Sequence, residues 1–343
     1  MHQQLTQLHI GPLEIGFPVV QAALAGYSDW PMRVIARRLG ASYTIAEVML
    51  DRFVLDVSKG RKAPRYIRVS DDEHPCAAQL MGSTAEELAP AAVKMVEAGF
   101  DAIDVNFGCP VKKVLGKCRG GFMLSQPRTA LEIVARVRDA VPAAVPVTVK
   151  MRRGIDDSQE SRDNFFAIFE GAFRLGVAAI TVHGRTVRQR YEGPSCWEFL
   201  REVKQHAGDK TVLGSGDLFS ARACLDMIRA TGVDGVTAAR GAIGNPWIFR
   251  QARLLAAGRP IEPPGLHEQR EVLAEHFRLS EDTYGPQRAC RRMRKFGIKY
   301  SQLHPRAEAV RAAFVIVGNA DQWHEVLDRW YAEDLPGRFP PRL

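Results

Sequence analysis

Ala102-Ile103-Asp104-Val105-Asn106-Phe107-Gly108-Cys109-Pro110, then the helical pattern Pro127–Ala140, then Val147-Thr148-Val149-Lys150-Met151-Arg152, is the stretch that decides the fold. Its two short runs are apolar-rich and do not alternate strictly, the pattern of strands buried on both faces of a parallel sheet. The amphipathic helix between them is the crossover that a parallel pair requires.

Outward from this unit the rhythm repeats. Strands are expected at Val19–Leu24, Tyr43–Ala46, Ala77–Met81, Ala102–Val105, Val147–Met151, Ala179–Val182, Thr211–Leu213 and Gly235–Ala238. Further helices are expected at Ala85–Ala98, Asp163–Leu175 and Ser220–Ala230, with Ser125 and Ser220 as N-caps and Gly99, Gly176 and Gly232 as stops. Eight strands alternating with helices over about 240 residues match an α/β fold of the (β/α)8 TIM-barrel type. An open doubly wound sheet is disfavoured, because no GxGxxG follows the first strand. Near Gly258 the rhythm stops, and residues 258–265, rich in proline and glycine, read as a linker. Only helical patterns follow: Glu268–Thr283, Pro286–Leu303, Arg306–Val317 and Asp321–Glu333. The expected organisation is a barrel over residues 1–257 and a small C-terminal all-helical domain over residues 266–343.

Composition narrows the class. With 46% hydrophobic and 25% charged residues in a chain of 343, disorder throughout is excluded. No apolar run reaches the length of a membrane span, and Met1–Leu8 is too polar for a secretory signal. Six cysteines without a CxxC pair form neither a disulfide scaffold nor a metal-ligand pattern, so a reduced cytoplasm is expected and no metal. A net charge of +8 points to a polyanionic partner. The segment 286–300 points the same way, with Arg288, Arg291, Arg292, Arg294, Lys295 and Lys299 and no acidic residue.

Barrels of this kind carry their chemistry at the C-terminal strand ends. Polar or special residues stand at nearly all of them: Ala23-Leu24-Ala25-Gly26, Gln79, Asn106 to Pro110, Lys150-Met151-Arg152, His183-Gly184-Arg185, Gly214-Ser215-Gly216-Asp217 and Ala239-Arg240-Gly241. A lysine ending an apolar strand needs an anion or an electron-rich ligand. The glycine turns after strands seven and eight suit a phosphate, and with Arg240 they suggest a cofactor such as FMN. Cys109 sits in a glycine-rich basic loop with Lys112, Lys113, Lys117 and Arg119, where a thiol can act as nucleophile or proton donor.

These motifs resemble the tRNA-dihydrouridine synthase family, specifically its bacterial B-type branch. The resemblance rests on Asp104-Val105-Asn106-Phe107-Gly108-Cys109-Pro110 with Lys112-Lys113-Val114, on Val149-Lys150-Met151-Arg152, and on Thr181-Val182-His183-Gly184-Arg185-Thr186. It continues through Gly216-Asp217, Asn245-Pro246-Trp247-Ile248-Phe249 and Tyr284-Gly285-Pro286, from about Pro18 to beyond Gln302. It implies an FMN-bearing barrel with a helical RNA-binding domain that reduces the uracil C5–C6 bond, with NADPH as reductant and RNA, foremost tRNA, as partner. Cys109 is then the catalytic acid at C5. The implied cofactor contacts are Ala23, Leu24, Ala25, Gln79 at the ring edge, Asn106, Lys150 and His183, with Ser215, Gly216, Asp217, Ala239 and Arg240 toward the phosphate. RNA contacts would come from Lys112, Lys113, Lys117, Arg119, Arg152, Arg185 and the six basic residues of segment 286–300, in a monomer free of any membrane. Ala23, Leu115, Gly116, Ser215, Ala239, Ile243 and Asn245 depart from the family pattern. Ribosomal RNA as substrate, a small pyrimidine as substrate, and a non-catalytic RNA-binding paralogue stand as alternatives.

Overall fold

A computed structural model describes residues 5–57 and 65–341. Strands β1 (Leu8–Ile10) and β2 (Leu13–Gly16) form an antiparallel hairpin. The remaining strands are β3 (Val19–Gln21), β4 (Thr44–Ile45), β5 (Met49–Leu50), β6 (Cys76–Met81), β7 (Ala102–Phe107), β8 (Val147–Arg152), β9 (Ala179–His183), β10 (Thr211–Ser215) and β11 (Gly235–Ala238). All pairings in their sheet are parallel, in the order β4-β3-β11-β10-β9-β8-β7-β6-β5, and a β4–β6 pairing closes it. The result is an 8-strand TIM barrel, with β5 a short extension along β6.

Helices α1 (Trp30–Arg38), α2 (Asp51–Val57), α3 (Ala85–Glu97), α4 (Lys112–Leu115), α5 (Pro127–Ala140), α6 (Gln159–Arg174), α7 (Trp197–Ala207), α8 (Ala221–Thr231) and α9 (Ile248–Ala256) connect the strands. Ser220 caps α8 as expected, accepting from the Ala223 amide at 3.2 Å, and Gly232 ends it at φ +76. Ser125 does not cap α5. Residues 120–125 form a 3-10 turn, Gln126 takes the cap position, and the Ser125 hydroxyl donates back to the Phe122 carbonyl.

The hairpin was not expected from the sequence. Its Leu8, Ile10 and Ile15 pack with Val20, Tyr43, Ile45, Leu213 and with Ala77, Ala102 and Ala179, which stand at the starts of β6, β7 and β9. The hairpin therefore plugs the end opposite the strand termini that carry polar groups. Each such buried side chain contributes roughly 1.5–3 kcal/mol.

After residues 259–265, which carry no regular structure, come α10 (Leu266–Tyr284), α11 (Pro286–Tyr300), α12 (Ala307–Val315) and α13 (Ala320–Trp330). Between them Phe277 stacks on Trp323, and Phe314 meets the same indole at a tilt of 44°. These helices share one hydrophobic cluster with the barrel helices. The junction is close. Gly244, at φ +80, lies against the backbone of Lys299, where any Cβ would collide, and Trp247 Nε1 donates to Glu268 Oε1 at 2.8 Å.

Candidate active site

Parallel register lays the polar strand ends side by side. Gln79 pairs with Asp104, Asn106 with Lys150, Arg152 with His183 and His183 with Ser215. A cleft at these ends is lined by Ala23, Leu24, Ala25, Gln79, Asn106, Cys109, Lys150, His183, Ser215, Gly216, Asp217, Ala239 and Arg240. Every cofactor contact implied by the resemblance thus shares one cleft with Cys109. A larger cavity, about 540 Å³, adjoins it beyond Asp217 and Phe219, but holds none of Cys109, Lys150 and His183.

Beneath the cleft runs a hydrogen-bonded chain. Thr148 and Gln79 Nε2 each donate to the buried Asp104 carboxylate at 2.6 Å, and Asn106 Nδ2 donates to Gln79 Oε1 at 2.7 Å. Asn106 Oδ1 accepts from the amides of Gly108 and Cys109 at 3.0 and 3.1 Å, which fixes the start of the cysteine loop. Gln79, expected at a ring edge, therefore already spends both ends of its amide on protein partners.

Charge in the cleft is strongly positive. Lys150 has no hydrogen bond or ion pair within the described residues, and burial together with Arg152 lowers its ammonium to about 8 against the pull of Asp104. His183 is 8% exposed. Burial and the cations Lys150, Arg152, Arg185 and Arg240 push it far below the usual histidine range, so it is neutral. Arg185 Nη1 donates to His183 Nε2 at 3.3 Å, which leaves the ring proton on Nδ1. Asp217, at φ +57, accepts from Arg185 twice at 2.8 Å and from the Ser195 amide at 2.8 Å, with Arg240 at 3.6 Å. Its side chain thus ties two guanidiniums at the cleft wall. Gly216 has φ +116, and a Cβ there would meet the His183 ring at 2.8 Å, so glycine is what lets that turn close on the histidine.

This donor set fits an anionic, electron-rich group such as a flavin phosphate and ring. An unpaired ammonium, a neutral imidazole and the Arg240 guanidinium share the cleft, and Thr237 Oγ1 at its wall is buried without a partner among the described residues.

The basic residues separate. Lys112, Lys113 and Lys117 are exposed on the cysteine loop, and Arg288, Arg291, Arg294 and Lys299 are exposed on α11. Arg152 and Arg185, expected on RNA, are each 3% exposed. Their guanidiniums donate to the carbonyls of Gly108, Thr186 and Arg190, and of Gly193, respectively, so they brace loops. Arg119 is paired with Asp51. Arg292 and Lys295 turn inward to the turn after β3. Arg292 reaches Asp29 at 2.6 and 3.0 Å, Tyr284 donates to the same carboxylate at 3.0 Å, and Lys295 donates to the Gly26 carbonyl. Sequence reasoning missed Tyr191, which is 57% exposed at the cleft rim with its ring 4.7 Å from Arg240 and 5.7 Å from Arg152. It lies mid-loop, eight positions past His183, where no strand-end rule points.

Fold and site together define an oxidoreductase of the flavin-binding TIM-barrel class. The chain belongs to the dihydrouridine synthase family, whose model matches residues 20–332. It is 34% identical over 331 residues to a probable tRNA-dihydrouridine synthase of Mycobacterium tuberculosis, covering 94% of this chain and 84% of that one. It is 33% identical over 341 residues to tRNA-dihydrouridine synthase B of Xanthomonas axonopodis pv. citri, covering 98% and 99%. Among solved structures it resembles morphinone reductase in complex with tetrahydroNAD, with TM-score 0.55, 17% identity, and coverage of 76% and 92%. That likeness concerns the barrel fold. No helix among the described residues is long and apolar enough to cross a membrane.

Proposed function

We propose that this chain reduces uridine in tRNA to 5,6-dihydrouridine, with the barrel as catalytic domain and the C-terminal helices as part of the RNA-binding face. FMN bound among Lys150, His183, Arg240 and the turns at residues 23–25 and 215–217 would supply hydride to uracil C6, with NADPH as its source of electrons. The observation that carries the reading is that the Cys109 loop and the unpaired Lys150 line one cleft.

Cys109 delivers the proton to C5, where negative charge develops once C6 has gained hydride. Asn106 holds the backbone of Gly108 and Cys109, which sets the thiol's approach. The Lys150 ammonium offsets negative charge at the cleft floor, and neutral His183 offers Nδ1–H as a donor. A base stacked in a helix cannot reach this floor, so the target uridine is extruded from the RNA. Exposed Lys112, Lys113 and Lys117 on one side of the cleft and Arg288, Arg291, Arg294 and Lys299 on α11 are placed to neutralise phosphates.

The test is direct. The purified protein should show a visible flavin band that bleaches with NADPH. Its tRNA product, digested and read by mass spectrometry, should gain two hydrogens at uridine. Cys109→Ala should keep the band and its bleaching while dihydrouridine formation falls roughly 10²–10⁴-fold. Unchanged product formation would remove Cys109 from the role of acid.

A further inference from the structure

The loop that carries Cys109 leaves the barrel at Gly108 and returns at Gly121, and its two ends are fixed by different means. At the outgoing end Asn106 accepts from the Cys109 amide. At the return, the Gly121 amide donates to the Cys109 carbonyl at 3.0 Å. Gly120, at φ +59, fits so closely that a Cβ would lie 2.8 Å from Cys109 Cβ and 3.0 Å from the Met81 sulfur. Residues 120–121 are thus the backing plate of the cysteine, and Arg119 is the side chain that ties this plate to the barrel wall.

Arg119 Nη2 lies 3.5 Å from Asp51 Oδ1, and the two side chains are 11% and 0% exposed. Asp51 is seated at the start of α2. Its Oδ1 accepts from the Arg52 amide at 2.8 Å, and its Oδ2 is pressed against Gly82 at the end of β6, where a Cβ would overlap it. Among the described residues Oδ2 has no hydrogen-bond partner, and Arg119 Nε is also buried without one. A carboxylate so buried holds its counter-cation, because releasing it leaves an uncompensated charge. The other charged groups acting on it are Arg52 and Glu87.

We propose that Asp51 and Arg119 form a latch that sets where Cys109 stands over the cleft, so that both are positioning residues for proton delivery. The link to catalysis rests on the uridine reading; the latch itself does not.

The experiment uses the flavin-loaded full chain. Arg119→Met keeps the alkyl stem and removes the charge, Asp51→Asn removes the partner isosterically, and Arg119→Lys is the conservative control. Alkylation of Cys109 by iodoacetamide, followed by peptide mapping, should run several-fold faster in Arg119→Met and in Asp51→Asn than in the wild type and in Arg119→Lys. On tRNA, kcat should fall about tenfold in the same two variants, with KM and the rate of flavin bleaching by NADPH unchanged. Wild-type alkylation and kcat in both variants would overturn the latch. Faster alkylation in a protein that forms no dihydrouridine even as wild type would uphold the latch and overturn the uridine reading.

Discussion

The turn after β3 and the loop after β7 both line the cleft, and they are held in unlike ways. At the turn, the 4%-exposed Asp29 accepts from Tyr284, twice from Arg292, and from the Met32 amide at 3.3 Å as the cap of α1. Glu47 accepts from the Gly26 amide at 2.6 Å, and the Lys295 ammonium rests 4.3 Å from the centre of the Tyr27 ring. At the cysteine loop, Asn106 and the Gly121 amide hold the ends, and the one ion pair across to α2, at 3.5 Å, leaves Asp51 Oδ2 and Arg119 Nε without a partner among the described residues. The turn is held by polar and charged side chains that come from the far end of the chain, and the loop by nearby backbone bonds and a single ion pair.

The largest effect that would break this contrast is on the turn side. Asp29→Ala strips a buried carboxylate from Arg292 and Tyr284 and should cost about 3–5 kcal/mol in chemical denaturation, with loss of bound flavin. If it costs no more than a surface substitution, the turn is not held as described. Between the two segments lies Lys150. Its ammonium is the charged form below about 8 and is lost as pH rises through that value. Binding of FMN to apoprotein should therefore weaken above pH 8, and Lys150→Arg should move that limb upward; fluorescence titration across pH 6–10 decides it (roughly tenfold per pH unit at most). The smallest effect separates the faces of α11. Arg288, Arg291 and Arg294 changed together to Gln should lower tRNA affinity and flatten its dependence on salt, by about one unit of log–log slope or less for each phosphate no longer neutralised. Melting temperature should stay put. Arg292→Gln should do the reverse, lowering stability more than the salt slope.

The barrel was legible because its strands announce themselves locally. Val147–Met151 and Gly235–Ala238 are short apolar runs bounded by turns, and their parallel register follows from the crossover helices. The twelve implied cofactor positions fell in one cleft for the same reason, since a barrel gathers strand ends. What failed was orientation. Counting six cations over residues 286–300 says that the helix is basic, but not that Arg292 and Lys295 face Asp29 and Gly26. Arg152 and Arg185 read as substrate contacts because a sequence does not show which carbonyls a guanidinium will find. Leu8, Ile10, Leu13 and Ile15 do alternate around Gly11-Pro12, a hairpin pattern, yet two very short strands carry little weight until the barrel floor that needs covering is seen.

The pairing of Asp29 with Arg292 also bears on the order in which the molecule can be completed. A chain made from its N-terminus has the first turn of the cleft in hand early, but Tyr284, Arg292 and Lys295, which complete its bonding, arrive more than 250 residues later. β3 likewise waits for β11 to close the ring. The cleft is therefore among the last features to become whole, and a barrel expressed without α10 to α13 should emerge from synthesis with one wall of it unfinished.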